Sequence, residues 1–549
     1  MLLVVAFQVG AIWGDEYAPR LGSFALSRGD LAFRLSQLLY ILPASVLVAW
    51  AIGSLFADHI LERFERLLEG GRAGALVLAA IAVAGAAAFR FLILEGTEVT
   101  DDENVYAFQA WLVRHGALYA PSLPPPFRAF FDNQFVVNDG RWYGLYFVGH
   151  PAVLALADLL QVGALLGPAS AGAVVLLTWA IGARVFDRRV AVAACTLLAF
   201  SPFLAALFAT RLSQPTDALA LLVATWAVLR IEADPGKARW WVLAAAAASL
   251  ALVTRPQAAV PFLLPLLVPV AWNLARGRLR PGAAPPLTGL LVAAMGFAVF
   301  LMVNAIQNGS PLRTGYHAYT AQGHPWLTPV GFRYSVRQAA EGLGHLSFWL
   351  FGWPLSLMFL PFFERRPFAL RLAASAVLVF VSFAASAVPT VAPVGPVYYG
   401  ELIPVLALLS ASGWAVVTSW VSLGNWRRLA GSTAVYPVAA ILFALLTFVP
   451  TQAWWLWRSS RVVSVPYRVA ESQHLSNALV FVDKMPSRVL PPHSWAYFHR
   501  NPAPDLTDPV IWVKDLGDER NRELMRFLGR KGYRLIPPGD TVRLEPIAP

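Results

Sequence analysis

Apolar residues in this chain collect in long runs, at 36–56, 74–94, 168–186, 190–208, 215–231, 240–254, 257–275, 287–306, 346–363, 370–388, 400–421 and 433–451. Most approach the roughly 20 residues that cross a hydrocarbon core as a helix. Residues 2–13 form a weaker run with no basic leader and no small-residue cleavage site, which predicts a short first helix rather than a signal peptide. The pattern therefore predicts a polytopic α-helical membrane protein of about thirteen spans. Only the end of the chain departs from it. NALVFVD, PVIWVKD and TVRLEP read as short strands, and DERNRELMRFLGRKG has helical periodicity, with Gly532 expected as its C-cap. A small C-terminal α/β domain follows from that stretch.

Short loops on alternate sides set the orientation. One set carries Arg63, Arg66 and Arg72; Arg184, Arg188 and Arg189; Arg230, Lys237 and Arg239; Arg276, Arg278 and Arg280; Arg365, Arg366 and Arg371; Arg427 and Arg428. Basic loops face the cytoplasm. The long polar segments 95–150, 307–345 and everything after the Trp454, Trp455 and Trp457 belt then fall on the outer side, where any chemistry is expected. The organisation read from this is 1–72 for N-terminal helices and a cytoplasmic linker, 73–451 for the membrane domain, and 452–549 for the outer α/β domain.

Composition agrees. The chain is 57% hydrophobic and only 14% charged, against about a quarter charged in soluble domains. A single cysteine, Cys195, excludes a disulfide framework and Cys/His zinc clusters. The net charge of +11 resides mostly in Arg clusters between spans, as topology signals do, so nucleic acid is not an expected partner. Only four lysines, Lys237, Lys484, Lys514 and Lys531, beside abundant Ala, Arg and Pro point to a bacterium with GC-rich DNA.

The most informative loop begins EGTEVTDDENVYAFQAWLVRHGALYAP. Thr100 and Glu103 form an S/T-x-x-E capping box that starts a helix, and Asp102, Tyr106, Gln109 and Val113 share one of its faces. Acidic residues belong at a helix N-terminus on electrostatic grounds alone. Three consecutive carboxylates where a span leaves the bilayer also lie at head-group depth, where one of them could take a proton from an attacking hydroxyl.

TDDENVYAFQAWLVRHGALYAP followed by FDNQFVVNDGRWYGLYFVGHPAVLAL resembles the first outer loop of the GT-C glycosyltransferases, in the branch of protein O-mannosyltransferases and aminoarabinose transferases. LALVTRPQAAVPFLLPLLV resembles that family's threonine-arginine-proline segment, and GPVYYGELIPVLALLSASG its late Gly-Pro-Arg-Tyr helix start. Two departures stand out: Phe147, Val148 and Gly149 lie where a Tyr-Pro-Pro-Gly turn is expected, and Val397 stands where the family often has Arg. The resemblance implies a GT-C membrane domain with a small periplasmic tail domain, transferring a sugar from a polyprenyl-phosphate donor to a glycan, lipid or protein acceptor. The periplasmic face of a bacterial inner membrane would be its place. By the same resemblance Asp102 is the expected general base, Glu103 its support, and Asp101 the competing base one residue earlier. No cofactor is implied, with a divalent cation left open.

Candidates for the donor phosphate are Arg255, between two apolar runs on the outer side, and Arg211 in ATRLSQPTD, each weighed against a snorkelling role. Arg90 is expected to snorkel. His150, Tyr398, Tyr399 and Glu401 complete the substrate-binding set; a carboxylate at a span entrance normally needs a partner. His317 and His324 lack metal-ligand spacing, and no metal is expected there. The alternatives from other classes are a transporter or lipid flippase, for which Asn304, Asp158 and Asp217 are the intramembrane polar candidates, and an inactive lipid-binding relative, which the altered turn keeps open.

Overall fold

A computed structural model describes residues 71–322, 331–353, 355–386, 393–423, 427–483, 500–536 and 542–548. The runs expected at 2–13 and 36–56, and His324, lie outside the described residues. Within them, seven helical stretches are long and apolar enough to cross a membrane: Gly71–Ile93, Gly163–Val185, Pro256–Ala275, Ala284–Asn308, Pro367–Ala384, Val397–Leu423 and Val435–Ser472. The chain is a multi-pass helical membrane protein.

Local chemistry sets many of the helix starts. Proline stands in the first turn of Pro202–Leu207, Gln214–Ala233, Pro256–Ala275, Ala284–Asn308 and Pro367–Ala384, where its missing N–H costs nothing. Asp187 Oδ1 accepts from the Val190 N–H at 2.9 Å to start Arg188–Ala199. The run 190–208 is accordingly two helices. Pro202 forces a break after Ala199, and the Ser201 hydroxyl caps the second piece at Leu204 N–H. The run 346–363 is not one helix either: Phe332–Trp349 ends there, and turns follow through Gly352, whose φ of +66° suits glycine. The last run continues beyond its expected end, through a π-helical turn at Ala444–Phe448 and on to Ser472.

The centre of the bundle is the helix Ile403–Leu423, whose residues from Ile403 to Trp414 are all buried, packed on Leu166–Val185 and Arg188–Ala199. By contrast Ala284–Asn308 exposes Leu287, Leu290, Leu291, Met295 and Phe297, as a helix facing lipid does.

Two small sheets stand at one end. Strands β1 (Ala120–Pro121), β2 (Val136–Asp139) and β3 (Arg141–Gly144) form an antiparallel sheet in the order β1-β3-β2, closed by a turn at Gly140, φ +81°. In the tail, β4 (Ala478–Val482), β5 (Val510–Lys514), β6 (Lys531–Ile536) and β7 (Arg543–Pro546) are ordered β5-β4-β6-β7, with only the β6–β7 pair antiparallel. The helix Asp518–Leu528 precedes β6. Its left-handed C-cap is Gly529 (φ +62°), and Gly532, expected in that role, lies inside β6 against Met525. Tail and loop touch: Phe127 stacks on Phe527 at 4.3 Å, Asn133 Nδ2 donates to Asn501 Oδ1 at 2.7 Å, and Lys514 Nζ donates to the Asp132 carbonyl. They therefore occupy the same end of the bundle.

Candidate active site

The acidic loop opens where the first described span ends in a π-helical turn, Phe89–Ile93, followed by Glu95 and Gly96 in left-handed conformations. Glu95 is tied down by Arg461 at 3.0 Å and Arg468 at 2.7 Å, both on the Val449–Ser472 helix. The helix α1 (Asp101–Arg114) then begins with the expected capping box. Glu103 is fully buried and saturated. Oε2 accepts from the N–H groups of Val99 (3.0 Å) and Thr100 (3.2 Å) and from the Thr100 hydroxyl (3.1 Å), while Oε1 accepts from Arg211 N–H at 2.8 Å. Burial raises its carboxyl above the usual range, with Arg90 opposing. Glu103 thus joins the start of α1 to the segment before Gln214–Ala233, and its oxygens are taken.

Asp102, Tyr106 and Gln109 do share a face, and that face meets the strand-and-turn segment 144–146. Asp102 Oδ1 accepts from Tyr146 OH at 2.5 Å, and Gln109 Nε2 donates to the carbonyls of Gly144 (2.9 Å) and Tyr146 (2.7 Å). The rings of Tyr106 and Tyr146 lie 4.6 Å apart. Burial pushes the Asp102 carboxyl above its ordinary range, and the Tyr146 hydrogen bond and the Arg255 charge pull it back. Asp101, one residue earlier, is pushed further by burial and by the neighbouring Asp102 charge; no hydrogen bond to its carboxylate joins it to Tyr146 or Arg255.

Arg255 reaches the same place from the N-cap of Pro256–Ala275. Its Nε lies 2.6 Å from Glu401 Oε1, and an Nη donates to Ser213 Oγ at 3.2 Å. Ser213 in turn exchanges a 2.8 Å hydrogen bond with Tyr106 OH. The guanidinium stacks over Tyr398 at 5.5 Å and Phe383 at 5.7 Å. So Asp102, Arg255, Tyr398 and Glu401 converge, together with Tyr146, Ser213 and Tyr316, which sequence reasoning missed. The buried Glu401 does have the partner a carboxylate at a span entrance needs.

The other candidates take the following places. Arg211 holds Asp158 through an Nη at 2.7 and 2.9 Å and stands 3.6 Å from Glu98, an ion-pair cluster separate from that of Arg255 and Glu401. His150 is buried, with Nε2 donating to the Arg211 carbonyl (2.8 Å) and Nδ1 accepting from the Thr216 hydroxyl (2.9 Å). Burial lowers its pKa to about 4, leaving it neutral. Tyr399 is fully buried, stacks on Phe380 at 4.9 Å and meets Phe383 edge-on at 6.3 Å. Asp217 is fully buried beside Glu401 and Arg255. Arg90 is buried, not snorkelling. His317 caps its helix through Thr314. Among the described residues no three His, Cys, Asp or Glu side chains gather as metal ligands would.

In the turn at Phe147, Val148 and Gly149, the flanking Tyr146 and the glycine have visible tasks. A Cβ on Gly149 would come within 2.4 Å of Thr254 Oγ1, and its N–H donates to Val253 O at 2.8 Å. That contact seats the turn directly beside Arg255. Val397 is buried in the short 3-10 helix before Ile403.

Residues 152–305 match the family model for dolichyl-phosphate-mannose-protein mannosyltransferases. The structure is similar to that of ArnT from Cupriavidus metallidurans bound to undecaprenyl phosphate, with a TM-score of 0.51 at 15% identity, over 84% of this chain and 92% of that one; its apo form matches equally. The oligosaccharyltransferase AglB from Archaeoglobus fulgidus gives a TM-score of 0.39 at 12% identity, over 84% of this chain and 69% of that one. No curated protein matches in sequence. The matched segment and the shared fold agree with the resemblance read from the loop, and the chain has the fold of ArnT.

Proposed function

We propose that the protein transfers a sugar from a polyprenyl-phosphate carrier to an acceptor hydroxyl at the outer face of a bacterial inner membrane. The observation that carries this reading is the meeting, at the mouth of the bundle, of a half-buried carboxylate, Asp102, with a cation, Arg255. A phosphate such as that of the undecaprenyl phosphate bound to ArnT suits the guanidinium, which grips phosphate oxygens bidentately. With Oδ1 taken by Tyr146, Oδ2 of Asp102 receives the acceptor's proton. The acceptor oxygen bonds to the anomeric carbon as the carbon–oxygen bond to phosphate breaks, and the polyprenyl phosphate leaves with the electron pair, its charge held by Arg255. Direct displacement makes the transfer inverting. The reaction so written needs no cofactor. Glycan, lipid and protein hydroxyls are all chemically competent acceptors, as are hexosyl and pentosyl donors.

The test joins lipid chemistry to mutagenesis. Mass spectrometry of lipid co-purifying with the protein should find a polyprenyl-phosphate sugar, which then serves as donor. Asp102→Asn should retain that lipid while turnover falls by about two to four orders of magnitude, the range of general base catalysis. Asp101→Asn should transfer normally, because its side chain points about 100° away around the helix. Loss of transfer in Asp101→Asn with an active Asp102→Asn would move the base by one residue, and full activity in both would remove it from this loop.

A further inference from the structure

We infer that Tyr146 is a positioning residue that aims the Asp102 carboxylate and keeps it ionised, so that the base is a Tyr–Asp unit rather than an isolated acid; this rests on Asp102 being the base. The two partners come from different elements, α1 and the turn after β3. The phenol reaches Oδ1 at 2.5 Å. Its backbone is fastened to the same face of α1 by Gln109, whose amide donates to the Tyr146 carbonyl at 2.7 Å. Residue 146 is thus fixed to α1 through its side chain at Asp102 and through its backbone at Gln109, about two helical turns further on. The ring has no freedom to swing away: Tyr106 lies at 4.6 Å, Phe135 at 5.9 Å and Tyr316 at 6.2 Å.

The arrangement has a chemical consequence. A half-buried carboxylate beside a second carboxylate tends to take up a proton and so cease to be a base. The groups facing Asp102 are Asp101 and Tyr106 on its own helix, Tyr146 from the turn, Tyr316 from the Gly315–Ala321 helix, Arg255 from the segment before Pro256, and Tyr398 from the 3-10 helix. Of these, Arg255 is a cation and Tyr146 gives Asp102 a hydrogen bond. A donated hydrogen bond stabilises the charged form. Burial and the Asp102 charge hold the Tyr146 phenol well above its usual range, so it stays a donor. With one oxygen held, the second lone-pair direction is set.

The experiment reads protonation at Asp102 without needing a donor. The full chain in detergent is treated with a water-soluble carbodiimide and an amine, which label protonated carboxyls, across a pH series, and labelling at Asp102 is read by peptide fragmentation. Tyr146→Phe, which loses only the hydroxyl, should move the labelling midpoint up by about one pH unit. The acid limb of the pH–rate profile should move with it, activity recovering at high pH. 3-Fluorotyrosine at 146, a stronger donor, should move both the other way. An unchanged midpoint in both variants, or a loss of turnover uniform across pH, would reduce Tyr146 to packing. An active Asp102→Asn would instead sink the assignment of the base, leaving the labelling result intact, so the two failures are distinguishable.

Discussion

Glu103→Gln separates a local helix cap from a long-range clamp. If Glu103 only closed the capping box with Thr100, glutamine would replace it at little cost, since its carbonyl oxygen can still accept from the residues at 99 and 100. The structure gives the carboxylate four donors on two oxygens, the fourth being Arg211 N–H at 2.8 Å. An amide has one accepting oxygen. Kept on the capping side, it turns its NH2 group toward the Arg211 N–H and leaves two donors facing each other. Losing a hydrogen bond to a charged acceptor costs about 1.5–3 kcal/mol. The buried Arg90 guanidinium, which acts on Glu103 electrostatically, also loses its counter-charge. A local cost of about 2–3 kcal/mol corresponds to roughly 30- to 150-fold faster exchange of the amides near Arg211, at 1.4 kcal/mol per decade. Hydrogen exchange of the intact chain, read on peptides covering 97–104 and 208–213, measures it. Thr100→Ala is the contrast: it should loosen the start of α1 by about 1 kcal/mol and leave residue 211 protected. Exchange at 208–213 unchanged in Glu103→Gln would refute the clamp.

Arg255→Lys should weaken binding of the co-purifying lipid by about tenfold or more, because an ammonium cannot hold Glu401 and Ser213 while gripping a phosphate in two places; equal lipid retention would return Arg255 to a structural role. Gly149→Ala should cost lipid binding without unfolding the bundle, since its Cβ meets Thr254 Oγ1 at 2.4 Å and displaces the turn from beside Arg255; wild-type retention would show that the contact gives freely. His150 has a folded pKa of about 4 against about 6.5 unfolded. Its contribution to stability is therefore present above pH 6.5 and lost as pH falls toward 4, and His150→Gln should flatten that part of the stability curve. Cysteines at positions 133 and 501 in a Cys195→Ser chain should cross-link with a short bismaleimide, as the Asn133–Asn501 hydrogen bond requires; absence of the cross-link would separate loop from tail.

Much of the bundle could be read from the sequence because a bilayer leaves the chain few choices: a span must be apolar and must satisfy its own backbone. The 3.6-residue period placed Asp102, Tyr106 and Gln109 on one face, and all three do meet the same segment. What the sequence hid was pairing at a distance. Tyr146 finds Asp102 from 44 residues away, and Glu401 finds Arg255 from 146 residues away. Arg211 looked available because Asp158, its partner, lies 53 residues earlier, outside the expected runs, and read as an isolated intramembrane acid. The misjudged ends have local causes. Glycine at 529 reaches the left-handed conformation three residues before the glycine expected to do so, and a π-helical turn carries the last membrane helix past its apolar stretch without interruption.

The contact between loop and tail also has a timetable. Phe127 and its partner Phe527 are 400 residues apart, and Asp132 waits for Lys514. At roughly 5–20 residues per second, translation takes about 20–80 s to span that gap. Throughout that interval the spans can insert and α1 can form. The segment 125–133, however, which leads into the sheet before Tyr146, rests until then on its own loop, Phe131 against Trp142 and Arg128 against Asp139, without the tail. A nascent chain thus holds its acidic helix in place long before the scaffold beside it is braced, and a segment made some 400 residues later completes the support.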